Sequence, residues 1–124
     1  RTLFDPRIGF FQGRHPDGTW RCEPDDFDPR TWGGDYAETC AWGMAVTPWH
    51  DGAGLAGLLG GDDGLAARLD EIFSTQEEAD EHTLGHYRRL VHEMVEARAI
   101  RCGMAAMSNQ PAHTSRSCTC HAGQ

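Results

Sequence analysis

Turn signals crowd the first 36 residues and constrain the fold more than anything else in the chain. Phe4-Asp5-Pro6, Pro16-Asp17-Gly18, Phe27-Asp28-Pro29 and Gly33-Gly34-Asp35 break the backbone at short intervals. Proline fixes φ and lacks an amide donor, while glycine and aspartate adopt bends that other residues resist. No regular apolar period survives between these breaks. Phe10, Phe11, Trp20, Phe27, Trp32 and Tyr36 nevertheless fall in the same stretch, and disordered segments are poor in aromatic residues. The stretch therefore reads as an ordered loop wall. Rings set among Arg, Asp and His suit a sugar ligand; the plainer reading of any single ring is that it pins the loop to a core.

Beyond Ala37 helical spacing takes over. Residues 37–47 read as a short helix with Trp42, Ala45 and Val46 on one side, ended by Pro48. Asp51 or Gly52 opens a second helix through Leu55, Leu58 and Leu59, and Gly60-Gly61 closes it. Asp62 and Asp63 offer caps for a third, with Leu65, Leu69, Ile72 and Phe73 at helical spacing. Ser74 or Thr75 can cap a fourth, with Glu78 placed three residues after Thr75 as in a capping box. That helix is expected to reach about Arg98, with Leu84, Tyr87, Val91, Met94 and Val95 as its apolar face. Strand signals are nearly absent, so the expected fold class is all-α, with long loops between helices. Residues 99–124 lose the pattern: Asn109-Gln110-Pro111 reads as a turn, and 114–120 has no apolar period.

Charge and composition exclude several partners. Nineteen Asp and Glu face eleven arginines and no lysine, for a formal charge of −8 and a sequence pI near 5.2. A nucleic-acid binder needs a positive footprint, and no Arg-rich stripe with interleaved aromatics exists. No run approaches the roughly 18 apolar residues of a membrane span, and no charged-then-apolar leader opens the chain. Neither nucleic acid nor membrane is expected as a partner. The first residue is Arg1, so the start is read as processed, truncated or internal. Fifteen glycines and six prolines in 124 residues, with a mean hydropathy of −0.58, leave a thin core. The five cysteines show no disulfide-framework spacing.

Four groups of residues could carry chemistry. Glu38 follows a glycine turn in Trp32-Gly33-Gly34-Asp35-Tyr36-Ala37-Glu38 and stands at the expected start of a helix. A carboxylate wedged between Trp32, Tyr36 and Trp42 would be desolvated, which raises its pKa as a general acid requires; otherwise it is a first-turn glutamate favoured by the helix dipole. His92 and Glu96, four apart, share a helix face next to Glu93. A zinc motif would need a second histidine there, so oxygen-loving calcium suits Glu93, Glu96, Asn109 and Gln110 better; a solvated acidic face is the alternative. Cys118, Cys120, His121 and His113 form only a weak soft-metal pattern. Asp62 and Asp63 read as a helix cap.

The ordered set of motifs resembles glycoside hydrolase family 92. The resemblance rests on Gly9-Phe10-Phe11-Gln12-Gly13-Arg14, Pro16-Asp17-Gly18-Thr19-Trp20, Phe27-Asp28-Pro29, Trp32 to Glu38, Ala41-Trp42 and His50-Asp51 before Gly54-Leu55. It continues through Leu58-Leu59-Gly60-Gly61, Leu69-Asp70, Phe73, His92-Glu93-Met94 and Asn109-Gln110-Pro111, so it covers residues 4 to about 113. The resemblance implies a calcium-dependent exo-α-mannosidase that inverts configuration, acts on mannose-containing glycans, and is secreted or held at a bacterial cell surface. It implies that residues 1–124 are an internal part of an (α/α)6 barrel with aromatic-rich active-site loops, partnered by the remainder of the catalytic domain. It makes Glu38 the general acid and gives His92 and Glu93 the sugar beyond the scissile bond, a pattern similar to that seen with α-1,2 specificity. Trp32 and Trp42 become substrate contacts, and Glu93 and Glu96 become calcium ligands.

The family's general base lies in a downstream Gly-x-Asp/Glu-Asp motif that this chain lacks, so the chain alone is expected to be inactive. Gly61-Asp62-Asp63 precedes His92-Glu93 and is not that motif. Two other readings stand beside the enzyme: a non-catalytic carbohydrate- or calcium-binding helical module, and a small metal or redox protein built on the cysteine-rich tail. After Asn-Gln-Pro the family continues with paired histidines and an apolar run, whereas here His113 is followed by residues 114–120 of quite different character. One codon choice for that stretch, read one base earlier, gives His-Ile-Pro-Leu-Met-Tyr-Leu. A compensated frame change across Thr114–Cys120 is therefore expected. Resequencing the gene tests it: the idea fails if no alternative frame encodes such a segment.

Overall fold

The computed structural model describes residues 2–114. The chain is helix-rich, with a single two-stranded sheet among the described residues. In chain order these are β1 (Phe4–Asp5), β2 (Phe10–Phe11), α1 (Ala41–Met44), α2 (Gly52–Leu59), α3 (Asp62–Ser74) and α4 (His92–Ile100). Short 3₁₀ turns lie at Pro24–Asp26, Trp49–Asp51, Glu81–Thr83, Gly85–Tyr87 and Gln110–Thr114. No described helix is long and apolar enough to cross a membrane.

The turn-rich opening folds as a hairpin tied down by polar groups. β1 and β2 pair antiparallel with Phe4 opposite Phe11 and Asp5 opposite Phe10, and the Phe4 and Phe11 rings meet edge to face at 5.4 Å. Asp5 is fully buried and accepts from the Arg7 amide at 2.9 Å and from Gln12 Nε2 at 2.8 Å, while the Arg7 guanidinium lies against it at 2.9 Å. Gln12 in turn exchanges two hydrogen bonds with the backbone of Cys22. A buried carboxylate survives only when it is paired in this way. Sequence spacing gave no strand here, because two-residue strands leave no alternation to read.

α2 and α3 follow the sequence closely. The Asp51 side chain caps α2 by accepting from the Gly54 amide at 2.9 Å, satisfying an amide the helix itself cannot. Gly60 ends α2 at φ 96°, a left-handed conformation open to glycine, and α3 starts two residues later. Gly61 rather than Asp62 is the cap residue, and Asp62 and Asp63 occupy the first turn, where negative charge suits the helix dipole. The core gathers Phe10, Trp42, Val46, Leu55, Leu65, Leu69, Ile72, Met94 and Met104 around this helix pair.

Two expected helices are corrected. The helix expected over 37–47 is one turn, α1, and Glu38 stands outside it with φ at 57°. The helix expected from Thr75 to about Arg98 is replaced by irregular chain with two 3₁₀ turns, and only His92–Ile100 is helical. Thr75 terminates α3 in an extended conformation, so the Thr75–Glu78 capping box does not form. Ala79, Gly85 and Arg88 all take positive φ, which no right-handed helix contains. Tertiary packing supplies the reason. At Gly85 a Cβ would lie 1.9 Å from the Trp32 carbonyl oxygen, so this segment is pressed against the loop carrying Trp32, and its Thr83 carbonyl accepts from the Trp32 amide.

The Asp5 knot has a measurable consequence. Its bonds with Arg7 hold the carboxyl below the ordinary aspartate value of 3.8. A folded-state pKa lower than the unfolded one stabilises the fold above the unfolded value, and that stabilisation disappears as pH falls through the folded value. Asp5→Asn is therefore expected to lower stability at pH 7 and to flatten acid unfolding below pH 3.8, read by tryptophan fluorescence across a pH series. An unchanged acid transition would show that the knot contributes nothing.

Candidate active site

Two of the glutamates singled out by sequence, Glu38 and Glu93, line one cleft. It has a volume of about 320 Å³ and is walled by Trp32 and Glu38 from the first loop, by Tyr87 and 89–91 from the irregular segment, and by His92 and Glu93 from the start of α4. Four of the six expected site residues thus share a cavity although 54 positions separate Glu38 from His92 (92 − 38). A second cavity, of about 280 Å³, lies between Leu3, Phe11, Tyr36, Met44 and Pro48. Its one carboxylate, Asp35, is already taken by Arg21 and by the Gly13 amide. That cavity offers apolar surface without a free acid or base, so the first is the better candidate.

Glu38 is held by its backbone. Its N–H donates to the Tyr87 hydroxyl at 3.1 Å, and its carbonyl accepts from the Asn109 side-chain amide. These partners lie 49 and 71 residues along the chain. At φ 57° Glu38 occupies the left-handed region, which costs a residue bearing a Cβ roughly 1–2 kcal/mol. Such strain persists only where the surroundings impose it, and it gathers at functional positions.

The expected enclosure of Glu38 by Trp32, Tyr36 and Trp42 is corrected: its side chain is exposed. Tyr36 turns away and donates to the Phe11 carbonyl at 2.6 Å, and burial pushes its hydroxyl well above the ordinary tyrosine range. Trp42 lies in the core, edge-on to Phe10 at 4.9 Å with the Arg68 guanidinium 5.3 Å from its ring, and does not line the Glu38 cleft. Its indole N–H is buried without a partner among the described residues. The reason is local: Trp42 sits within α1, whose buried side faces β2, whereas Glu38 precedes the helix. Trp32 does reach the cleft. It is otherwise buried, its indole N–H directed at Glu77 Oε2 at 3.4 Å and its ring edge-on to Tyr87 at 6.4 Å.

At the far wall, His92 Nδ1 lies 3.2 Å from Glu93 Oε2, with the imidazole exposed and the carboxylate mostly covered. Glu93 is in the first turn of α4. Glu96 is exposed and outside the cleft lining. Asn109 commits its side-chain N–H to Glu38, and Gln110 is exposed.

Calcium takes six to eight oxygen ligands. Among the described residues no group of three His, Cys, Asp or Glu side chains stands close enough to hold a metal, and of the expected pair only Glu93 faces the cleft. The described residues do not by themselves fit the ion. The tail pattern at Cys118, Cys120 and His121, and all but the first residue of the frame change expected for 114–120, lie outside the described residues.

Sequence reasoning missed Tyr87, Arg89 and Glu77. Tyr87 was assigned to an apolar helix face, and Glu78 rather than Glu77 was given a role. Gly85 in mid-segment was the available sign that this stretch is not a helix. Glu77 is buried and accepts from the Ala79 amide at 2.7 Å as well as facing the Trp32 indole, so it fixes the ring that floors the cleft.

A cleft lined by two glutamates, a histidine and aromatic rings offers proton-donating and hydrogen-bonding groups to a polar ligand such as a sugar. The chain belongs to glycosyl hydrolase family 92: the catalytic-domain model of that family matches residues 1–118. Membership makes it a glycosidase by resemblance, in a family that is generally calcium-dependent. No curated protein matches the chain. Since the described donors are too few, calorimetric titration of this chain with Ca²⁺ is expected to show no site tighter than about 1 mM; a saturable micromolar site would prove the donor set sufficient.

Proposed function

We propose that this chain forms one wall of the active site of an inverting exo-α-mannosidase, and that Glu38 is its general acid. The supporting observation is the shared cleft: Glu38 on one side, His92 and Glu93 on the other, with Trp32 and Tyr87 between. Departure of a sugar alkoxide is slow without a proton, and a carboxylic acid at the glycosidic oxygen supplies it. Glu38 performs that step. The His92–Glu93 pair offers a donor and an acceptor to the hydroxyls of the sugar beyond the scissile bond, and α-1,2-linked mannose is the linkage we assign. The aromatic floor covers the apolar face of a pyranose ring.

Inversion needs a second, ionised carboxylate roughly 6.5–9.5 Å from the acid, with a water between them. Asp62 and Asp63 lie in the first turn of α3 and do not line the cleft. The base therefore comes from elsewhere in a larger catalytic domain, an (α/α)6 barrel of which α1–α4 and their loops are part. The remainder of that domain covers the exposed Val95 and Ile100, and mannose-containing glycans are the substrates. Calcium enters with the complete domain.

Two measurements test this reading. The purified 124-residue chain is expected to release no aryl alcohol from an aryl α-mannoside. In the complete catalytic domain, Glu38→Gln is expected to lower kcat on an α-1,2-mannobiose by about 10²–10⁴. A variant that kept the parental rate would remove Glu38 from the mechanism.

A further inference from the structure

We infer that Tyr87 is a positioning residue for the acid, acting through the backbone of Glu38 rather than on the sugar. The inference rests on the reading of Glu38 as general acid. Glu38 alone in its loop has a left-handed backbone with a full side chain; Gly33 and Gly34 take positive φ at no steric cost. A glutamate released from this conformation would fall back to ordinary φ values and swing its carboxyl to a new direction. What opposes that is the Tyr87 hydroxyl, which receives the Glu38 N–H at 3.1 Å, seconded by Asn109 at the carbonyl of the same residue.

The Tyr87 hydroxyl is itself well placed. Its ring is stacked on His86 with centroids 4.7 Å apart and abuts Trp32 edge-on. His86 Nδ1 accepts from the Gly34 amide at 2.8 Å, and the Thr83 carbonyl accepts from the Trp32 amide at 2.9 Å. Thr83, His86 and Tyr87 of one segment thus grip, in the same order, the amides of Trp32, Gly34 and Glu38 in the acid-bearing loop. Tyr87 is the last grip and the one at the acid. Its oxygen accepts in this contact, so removing the oxygen leaves the ring packing intact and takes away one restraint.

Displacement of an acid has a signature that general loosening lacks. Leaving groups of high pKa need the proton, whereas 2,4-dinitrophenolate departs without it. With variants made in the complete catalytic domain, Tyr87→Phe is expected to lower kcat on an α-1,2-mannobiose by roughly tenfold or more, with KM and kcat on 2,4-dinitrophenyl α-mannoside within about twofold of the parent. Glu38→Gln is measured beside it. If Glu38→Gln shows no dependence on the leaving group, the assignment of the acid fails and takes this inference with it. If Glu38→Gln shows the dependence while Tyr87→Phe slows both substrates equally, or neither, the acid stands and the positioning role of Tyr87 is overturned.

Discussion

Backbone groups of the loop at 32–38 have no helix or sheet to bond within, and the structure depends on how they are satisfied. The Trp32 amide donates to the Thr83 carbonyl, the Gly34 amide to His86 and the Glu38 amide to the Tyr87 hydroxyl. The buried Trp32 amide, left without a partner, would cost as much as a lost hydrogen bond. The segment at 77–91 meets this demand with one carbonyl and two side chains, and takes positive φ at Ala79, Gly85 and Arg88, where a helix could not. Both conformations are irregular for one reason: each completes the other. The cleft is the gap left where the two segments part, beside the N-terminus of α4.

Beneath this pair of loops, α2 and α3 supply the regular part of the fold. Leu55, Leu65 and Leu69 are almost wholly buried there, and close packing of such residues resists the deformation that an irregular loop would otherwise permit. Arg68 joins the two layers: its guanidinium sits 4.3 Å from the Phe10 ring and donates to the Gly9 carbonyl, and burial lowers its pKa below the ordinary arginine range. The hairpin that carries Phe10 is thus anchored to α3, and its own turn is stiffened by buried Asp5. Rigid support of this sort matters for a hydrolase, because a proton donor displaced by an ångström loses much of its effect.

Much of the fold was legible. α2 and α3 could be placed from their glycine stop, their aspartates and their leucine spacing, since each signal is local and acts within a few residues. The ordered character of the aromatic stretch was legible too, and Phe10 and Trp32 indeed end in the core. The helix expected across 75–98 forms only from His92, although Leu84, Tyr87 and Val91 follow a helical period, because the chain before it is pressed against the loop carrying Trp32 and takes positive φ at Ala79, Gly85 and Arg88. Periodicity reports which side chains face the interior. It does not report which carbonyl an amide will choose.

For the site the division is similar. The family was legible in the sequence alone, and so were the residues we propose for its chemistry: Glu38, His92 and Glu93 stand in ordered motifs that survive without knowledge of the fold. That Glu38 stands exposed and left-handed, that Trp42 belongs to the core, and that Tyr87 and Asn109 hold the Glu38 backbone were decided only in three dimensions. These facts arise from hydrogen bonds spanning 49 and 71 residues. No local propensity encodes a contact of that range; it exists only once the helices beneath have brought the two loops together.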